Sequence, residues 1–228
     1  MRKPAKWGLA AALATAAALV AVAAAVARGA ADPLPPAGEP VAPGTYLGPI
    51  VRPPFTFRIR QQGWLLQAVT PRLFILLRER LTQGVTFTNP ARLSGVINPR
   101  SVVDSRRPPG VAVVRMPRDL FGWLRRHPRL RAGRPATVRI GNVRATRLDV
   151  TVRRGYPVSG CPTRCVGIFP ASTPSQPGLW FQVQGSTTRY LLIRNGGKRV
   201  LVIIEAPAAR FRTFLRSAIP LVASIRFR

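Results

Sequence analysis

The sequence is short of the residues most chemistry needs. In 228 positions it has two cysteines, one histidine, seven acidic residues and three lysines, Lys3, Lys6 and Lys198. A single histidine, His127, offers a catalytic base no evident nucleophile or orienting group. Together with Cys161 and Cys165 it falls short of the three or four ligands of a zinc site. The acids Asp32, Glu39, Glu79, Asp104, Asp119, Asp149 and Glu205 lie far apart, and no spacing pairs two of them for general acid–base work. "RNGGKR", residues 194–199, lacks the spacing of a phosphate-binding loop, and no G-x-S-x-G is present. No catalytic residue, metal site or cofactor is predicted. Aromatics make up 7% of the chain and do not interleave with arginine, so no base-stacking platform for single-stranded nucleic acid is signalled.

What is abundant is arginine. Lys+Arg number 36 against 7 Asp+Glu, a formal net charge of +29. Such an excess suits a polyanionic partner: nucleic acid, anionic lipid or an acidic wall polymer. GC-rich coding raises Arg, Ala, Pro and Gly together and would explain arginine over lysine. It does not explain the few acids, because Asp and Glu also have codons ending in G or C. The basic residues are scattered, in doublets such as Arg106–Arg107 and Arg153–Arg154, rather than gathered into a tail. They are densest in "LFGWLRRHPRLRAGR", where Arg125, Arg126, Arg129, Arg131 and Arg134 form a candidate patch for an anionic partner. The competing reading is a solvated helix end, where the dipole favours arginine.

The N-terminus sets the compartment. "MRKPAKW" is basic, and residues 8–27 carry no charge, as in the n- and h-regions of an export signal. Small-residue cleavage candidates end at Ala27 and Ala31. A retained anchor is the alternative, since about 20 apolar residues span a bilayer. Either way the remainder is exported, so the chain is secreted or tethered to the cytoplasmic membrane by residues 8–27. The domain reading is therefore a signal or anchor over 1–31, a Pro-rich extended linker over 32–44, and one domain over 45–228. Only Arg2, Lys3, Lys6 and Arg28 among the basic residues precede residue 32, so the charge belongs to the exported domain.

That domain reads as strands with two helices. In "FTFRIR", 55–60, Phe55, Phe57 and Ile59 alternate with Thr56, Arg58 and Arg60, a half-buried strand. Hairpins are predicted over 72–88, over 137–152 with a Gly141-Asn142 turn, and over 188–205 with an Asn195-Gly196 turn. Val200 to Ile204 are apolar on both faces and should lie centrally in the sheet. A helix is predicted over 117–128, with Pro117 in its first turn, Asp119 at its positive end and His127 as a cap that favours the dipole. Leu120, Phe121 and Leu124 are its buried stripe. A second is predicted over 207–222, kinked or ended by Pro220, with a last strand "SIRF" at 224–227. Asp149 is expected in a surface ion pair, and Glu205 at a strand end. The fold class is α+β, a largely antiparallel sheet packed by two or so helices.

These pieces also carry a resemblance. "PGTY" (43–46), "PFTFRI…GW" (54–64), "DLFGWLRRHPRL" (119–130), "RIGNVRATRLDV" (139–150), the close cysteine pair and a final "SIRF" resemble uncharacterised exported proteins of high-GC Gram-positive bacteria. More loosely, the opening "FTF…GW" and closing helix-"SIRF" are similar to the Mog1/PsbP-like α/β/α sandwich. That resemblance implies docking on partners rather than catalysis, and it carries over no functional residue. Arg60-Gln61-Gln62 departs from its pattern, where a proline often precedes the Gly-Trp.

Beyond a secretory segment, thiols persist oxidised. Cys161 and Cys165 are therefore predicted to form a local disulfide, worth roughly 2 kcal/mol for so short a loop. A reduction potential well below that of extracellular redox systems would distinguish this staple from an oxidant. The sequence thus predicts a non-enzymatic exported binding or docking domain with an anionic lipid, cell-wall polymer or envelope protein as partner. Two readings stand beside it: a thiol-disulfide redox protein using Cys161 and Cys165, and a hydrolase without a recognisable motif. The sequence says nothing about oligomeric state.

Overall fold

Alternating apolar residues sort one side of each strand inward, and the strands form where that alternation occurs. The computed structural model describes residues 31–78, 82–99, 112–154, 165–173 and 176–227. Residues 8–27, Glu79, Asp104, Arg106, Arg107 and Cys161 lie outside them, and with them the export segment and half of the cysteine pair. The strands are β1 (Pro40–Val41), β2 (Gly44–Gly48), β3 (Phe55–Ile59), β4 (Trp64–Val69), β5 (Leu73–Arg78), β6 (Gln83–Thr88), β7 (Val96–Ile97), β8 (Val113–Val114), β9 (Leu130–Ala132), β10 (Ala136–Ile140), β11 (Val143–Val152), β12 (Cys165–Thr173), β13 (Gln176–Val183), β14 (Ser186–Asn195) and β15 (Lys198–Pro207). The helices are α1 (Leu120–Arg126) and α2 (Ala208–Ala223), with a 3-10 turn at Pro90–Arg92.

The main sheet runs β1-β4-β5-β6-β15-β14-β11-β10, and β9 also pairs with β11. Its ladders are all antiparallel. β15 sits between β6 and β14 and is covered on both faces. Val200, Val202 and Ile204 enter one core, and Leu201 and Ile203 enter the other. On the first face lie α2 and the β2–β3 hairpin. Phe55, Phe57, Phe74 and Phe87 form an aromatic cluster there, with Phe74 stacked on its cross-strand partner Phe87 at 4.5 Å. Such a pair adds about 0.5–1.5 kcal/mol beyond area burial. On the second face lie α1 and the β12–β13 hairpin, through Leu120, Phe121, Leu124, Val166 and Ile168. The architecture is α+β, largely antiparallel, in three layers.

Several local expectations need correction. The last hairpin turns at Gly196-Gly197, one residue later than predicted, because Asn195 already pairs with Lys198. Both glycines have positive φ (52° and 77°), which the two-residue turn requires and which costs glycine nothing. Pro220 does not end α2, which continues to Ala223. The proline is exposed and near the C-terminal end, so the Arg216 carbonyl it leaves without a donor can be hydrated. Residues 224–227 form a single bridge, Thr56 to Arg226, rather than a strand. α1 starts at Leu120, with Pro117 outside it, because the Asp119 side chain accepts from the Gly122 N–H at 2.8 Å and caps the helix there. The Pro-rich stretch lies against the domain: Val41 is buried, Asp32 bonds through its backbone to Thr45 and Leu47, and β1 forms the sheet edge on β4.

Candidate anion-binding cleft

The β14–β15 hairpin brings Arg194 and Arg199 directly opposite each other. Like charges in such a pair destabilise a sheet unless an anion lies between them. Above them the 3-10 turn and the segment leading into α1 build two walls. Together they enclose a cleft of about 320 Å³ lined by Arg115, Arg118, Arg194 and Arg199, with Met116 and Leu192 among its apolar residues and no carboxylate among the described residues that line it. All four arginines are exposed. A guanidinium presents a planar fork of donors that grips phosphate or carboxylate oxygens two at a time. The sequence offered no warning of this cluster, because its members come from two segments about 80 positions apart.

The arginines singled out from the sequence are placed differently. Arg125 and Arg126 are exposed at the end of α1, on the second face of the sheet. Arg131 on β9 stands opposite Thr151, while its neighbours Leu130 and Ala132 pair with Val152 and Val150 of the second core. Arg131 therefore points to the first face, away from α1. Arg129 is half-buried and Arg134 exposed in the link from β9 to β10. The register thus sets Arg131 on the other face from Arg125 and Arg126.

The remaining singled-out groups have structural employment. His127 is 2% exposed, ends α1, and accepts the Arg129 N–H on Nδ1 at 3.2 Å. Burial, with the Arg129 charge, pulls its pKa down to about 4. It is therefore neutral at ordinary pH and caps the chain as an acceptor, not as a cation on the helix dipole. Asp149 takes Arg189 in a two-pronged pair at 2.7 and 2.8 Å, rather than the nearer Arg147 or Arg153, because β11 and β14 set Asp149 opposite Arg189. Arg189 also lies over the Phe211 ring of α2 at 5.6 Å. Glu205 lies within β15 rather than at its end. Burial pushes its carboxyl up to about 7 against a Val183 backbone N–H that pulls it down. Cys165 opens β12, is 1% exposed, and is not a free thiol. Among the described residues no three His, Cys, Asp or Glu side chains are grouped to hold a metal, and no helix is long and apolar enough to cross a membrane.

Cleft and sheet together define an antiparallel α+β sandwich with a basic hollow at one end. No protein-family model matches the chain, and no curated protein matches it. Among solved structures the chain is similar to the solution structure of cyanobacterial PsbP (CyanoP) from Synechocystis sp. PCC 6803. Identity is 10%, coverage is 88% of this chain and 98% of that one, and the TM-score is 0.41. At that score the likeness carries no argument, and the fold class rests on the sheet itself.

Proposed function

We propose that the chain is a non-catalytic docking domain that works outside the cytoplasm and holds an anionic partner of the cell envelope in the arginine cleft. The observation that carries this reading is the concave site with Arg115, Arg118, Arg194 and Arg199 and no carboxylate among the described residues that line it. Export rests on the charged start and apolar run of the N-terminus. The buried position of Cys165 at a strand start suits a staple with Cys161 better than a redox centre, which needs an accessible thiolate.

The test is binding of sodium triphosphate to the purified full-length chain in non-ionic detergent, by calorimetry across a salt series. Affinity should fall as salt rises. Arg115→Ala/Arg118→Ala should weaken it about tenfold or more, as expected for lost charge-assisted hydrogen bonds. No binding at low salt, or binding indifferent to both substitutions, would sink the reading.

A further inference from the structure

The opposed pair Arg194–Arg199 is part of a longer row. On the next hairpin Arg139 of β10 stands opposite Arg144 of β11. The β11–β14 ladder pairs Ala145 with Ile193, so one step further on Arg144 lies beside Arg194. Four adjacent strands therefore carry Arg139, Arg144, Arg194 and Arg199 in one line across the sheet. Each has a chain neighbour in the first core: Ile140, Val143, Ile193 and Val200. All four consequently project from the opposite face, and all four are exposed. With strands about 4.8 Å apart, the row spans about 14 Å.

One further observation gives the row a direction. At its Arg199 end lies the cleft with Arg115 and Arg118. Arg194 and Arg199 belong to both, so the row and the cleft form one basic track. A row of like charges on neighbouring strands opposes sheet pairing at every step. A single small anion relieves one step, whereas a chain of evenly repeated anions relieves all of them.

We propose that the track is the seat of an unbranched, base-free polymer of repeated phosphates lying across the strands, with its phosphates on Arg139, Arg144, Arg194 and Arg199 and its end in the cleft. This rests on the anion-docking reading and names its partner class. Phosphate suits the forked guanidinium. Among the described residues lining the cleft no aromatic side chain offers a base a surface to stack on, which favours a polymer read by its backbone.

The experiment compares long-chain inorganic polyphosphate with triphosphate on the full-length chain. Long chains should bind more tightly and with a steeper salt dependence, about 0.7 in log–log slope for each arginine engaged. Arg139→Ala/Arg144→Ala should cost long-chain affinity about tenfold or more and leave triphosphate binding within about twofold, because both residues lie outside the cleft. Arg212→Ala/Arg216→Ala on the exposed side of α2 removes the same charge elsewhere and should leave long-chain binding nearly intact. Equal binding of long and short chains, or equal loss in the two double variants, would overturn the track while leaving the cleft standing. Tighter binding of oligothymidylate than of polyphosphate at matched phosphate count would overturn the base-free assignment. Loss of triphosphate binding to the wild-type chain would instead strike the docking reading itself.

Discussion

Two titratable residues, buried His127 and half-buried Glu205, shape the domain's response to pH, and they act in opposite directions. Glu205 has its carboxyl raised to about 7, first by burial. Below the ordinary carboxylate range it is neutral in both folded and unfolded chains. As pH climbs toward 7 the unfolded chain ionises first, so stability is lost over that window. His127 has its pKa lowered to about 4. Above about 6.5 it is neutral in both states, and as pH falls toward 4 the unfolded chain takes the proton first, so stability is lost on that side. Glu205→Gln should therefore raise the urea midpoint at pH 8 and leave it nearly unchanged at pH 4.5. His127→Gln should flatten the loss between pH 6.5 and 4, with the glutamine oxygen replacing the acceptor for Arg129 N–H. A Glu205→Gln midpoint that stays fixed at pH 8 would refute the first. An acid limb as steep as wild type would refute the second. Neither shift was legible in the sequence, which placed Glu205 at a strand end and made His127 a cation on the dipole. Both depend on what the tertiary structure stacks above them.

Among the elements, α1 shows how a seven-residue helix is held in one place. A helix so short has little stability of its own. It is fixed by Leu120, Phe121 and Leu124 in the second core and by the Asp119 cap. Gly122 is part of that cap, since a Cβ there would lie 1.9 Å from Asp119 Oδ2. Asp119→Ala should cost about 1 kcal/mol as a lost N-cap. Gly122→Ala should also destabilise, although alanine is the better helix former, because it displaces the Asp119 carboxylate. In the Asp119→Ala background the Gly122 substitution should become neutral or stabilising. A double-mutant cycle by urea denaturation checks this, and additive losses would disprove the coupling. The same scale explains the arginines near α1. β9 and β10 lie on the outer side of β11, so Arg131, Arg134, Pro135 and Arg139 run along an open sheet edge. Charge and proline there discourage another strand from pairing.

At the scale of the whole molecule, 36 basic residues against 7 acidic ones leave most positive charge without an acidic counterpart. Self-repulsion of that kind opposes the compact state and is screened by salt. Raising sodium chloride from 20 to 500 mM should therefore raise the melting temperature, by about 2–4 °C for each kcal/mol of repulsion removed. A melting temperature that is flat or falls with salt would show that the charges are already compensated. The prediction separates repulsion spread over the surface from repulsion concentrated in the arginine row. In the latter case Arg139→Ala/Arg144→Ala should remove much of the salt response.

The sequence by itself determined β3, the hairpins β5–β6, β10–β11 and β14–β15, the two helices in outline and the central place of β15. Those follow from periods of two and 3.6 and from the chemistry of turns and caps, all of which act within a few residues. It also determined the excess of arginine. Only the tertiary structure decided where that charge converges. Arg125, Arg126 and Arg131 are close in the chain yet Arg131 lies on the other face of the sheet, because one step along β9 reverses the side a residue faces. Arg139, Arg144, Arg194 and Arg199 are dispersed in the chain yet lie in one row, because strand register, a non-local property, aligns them.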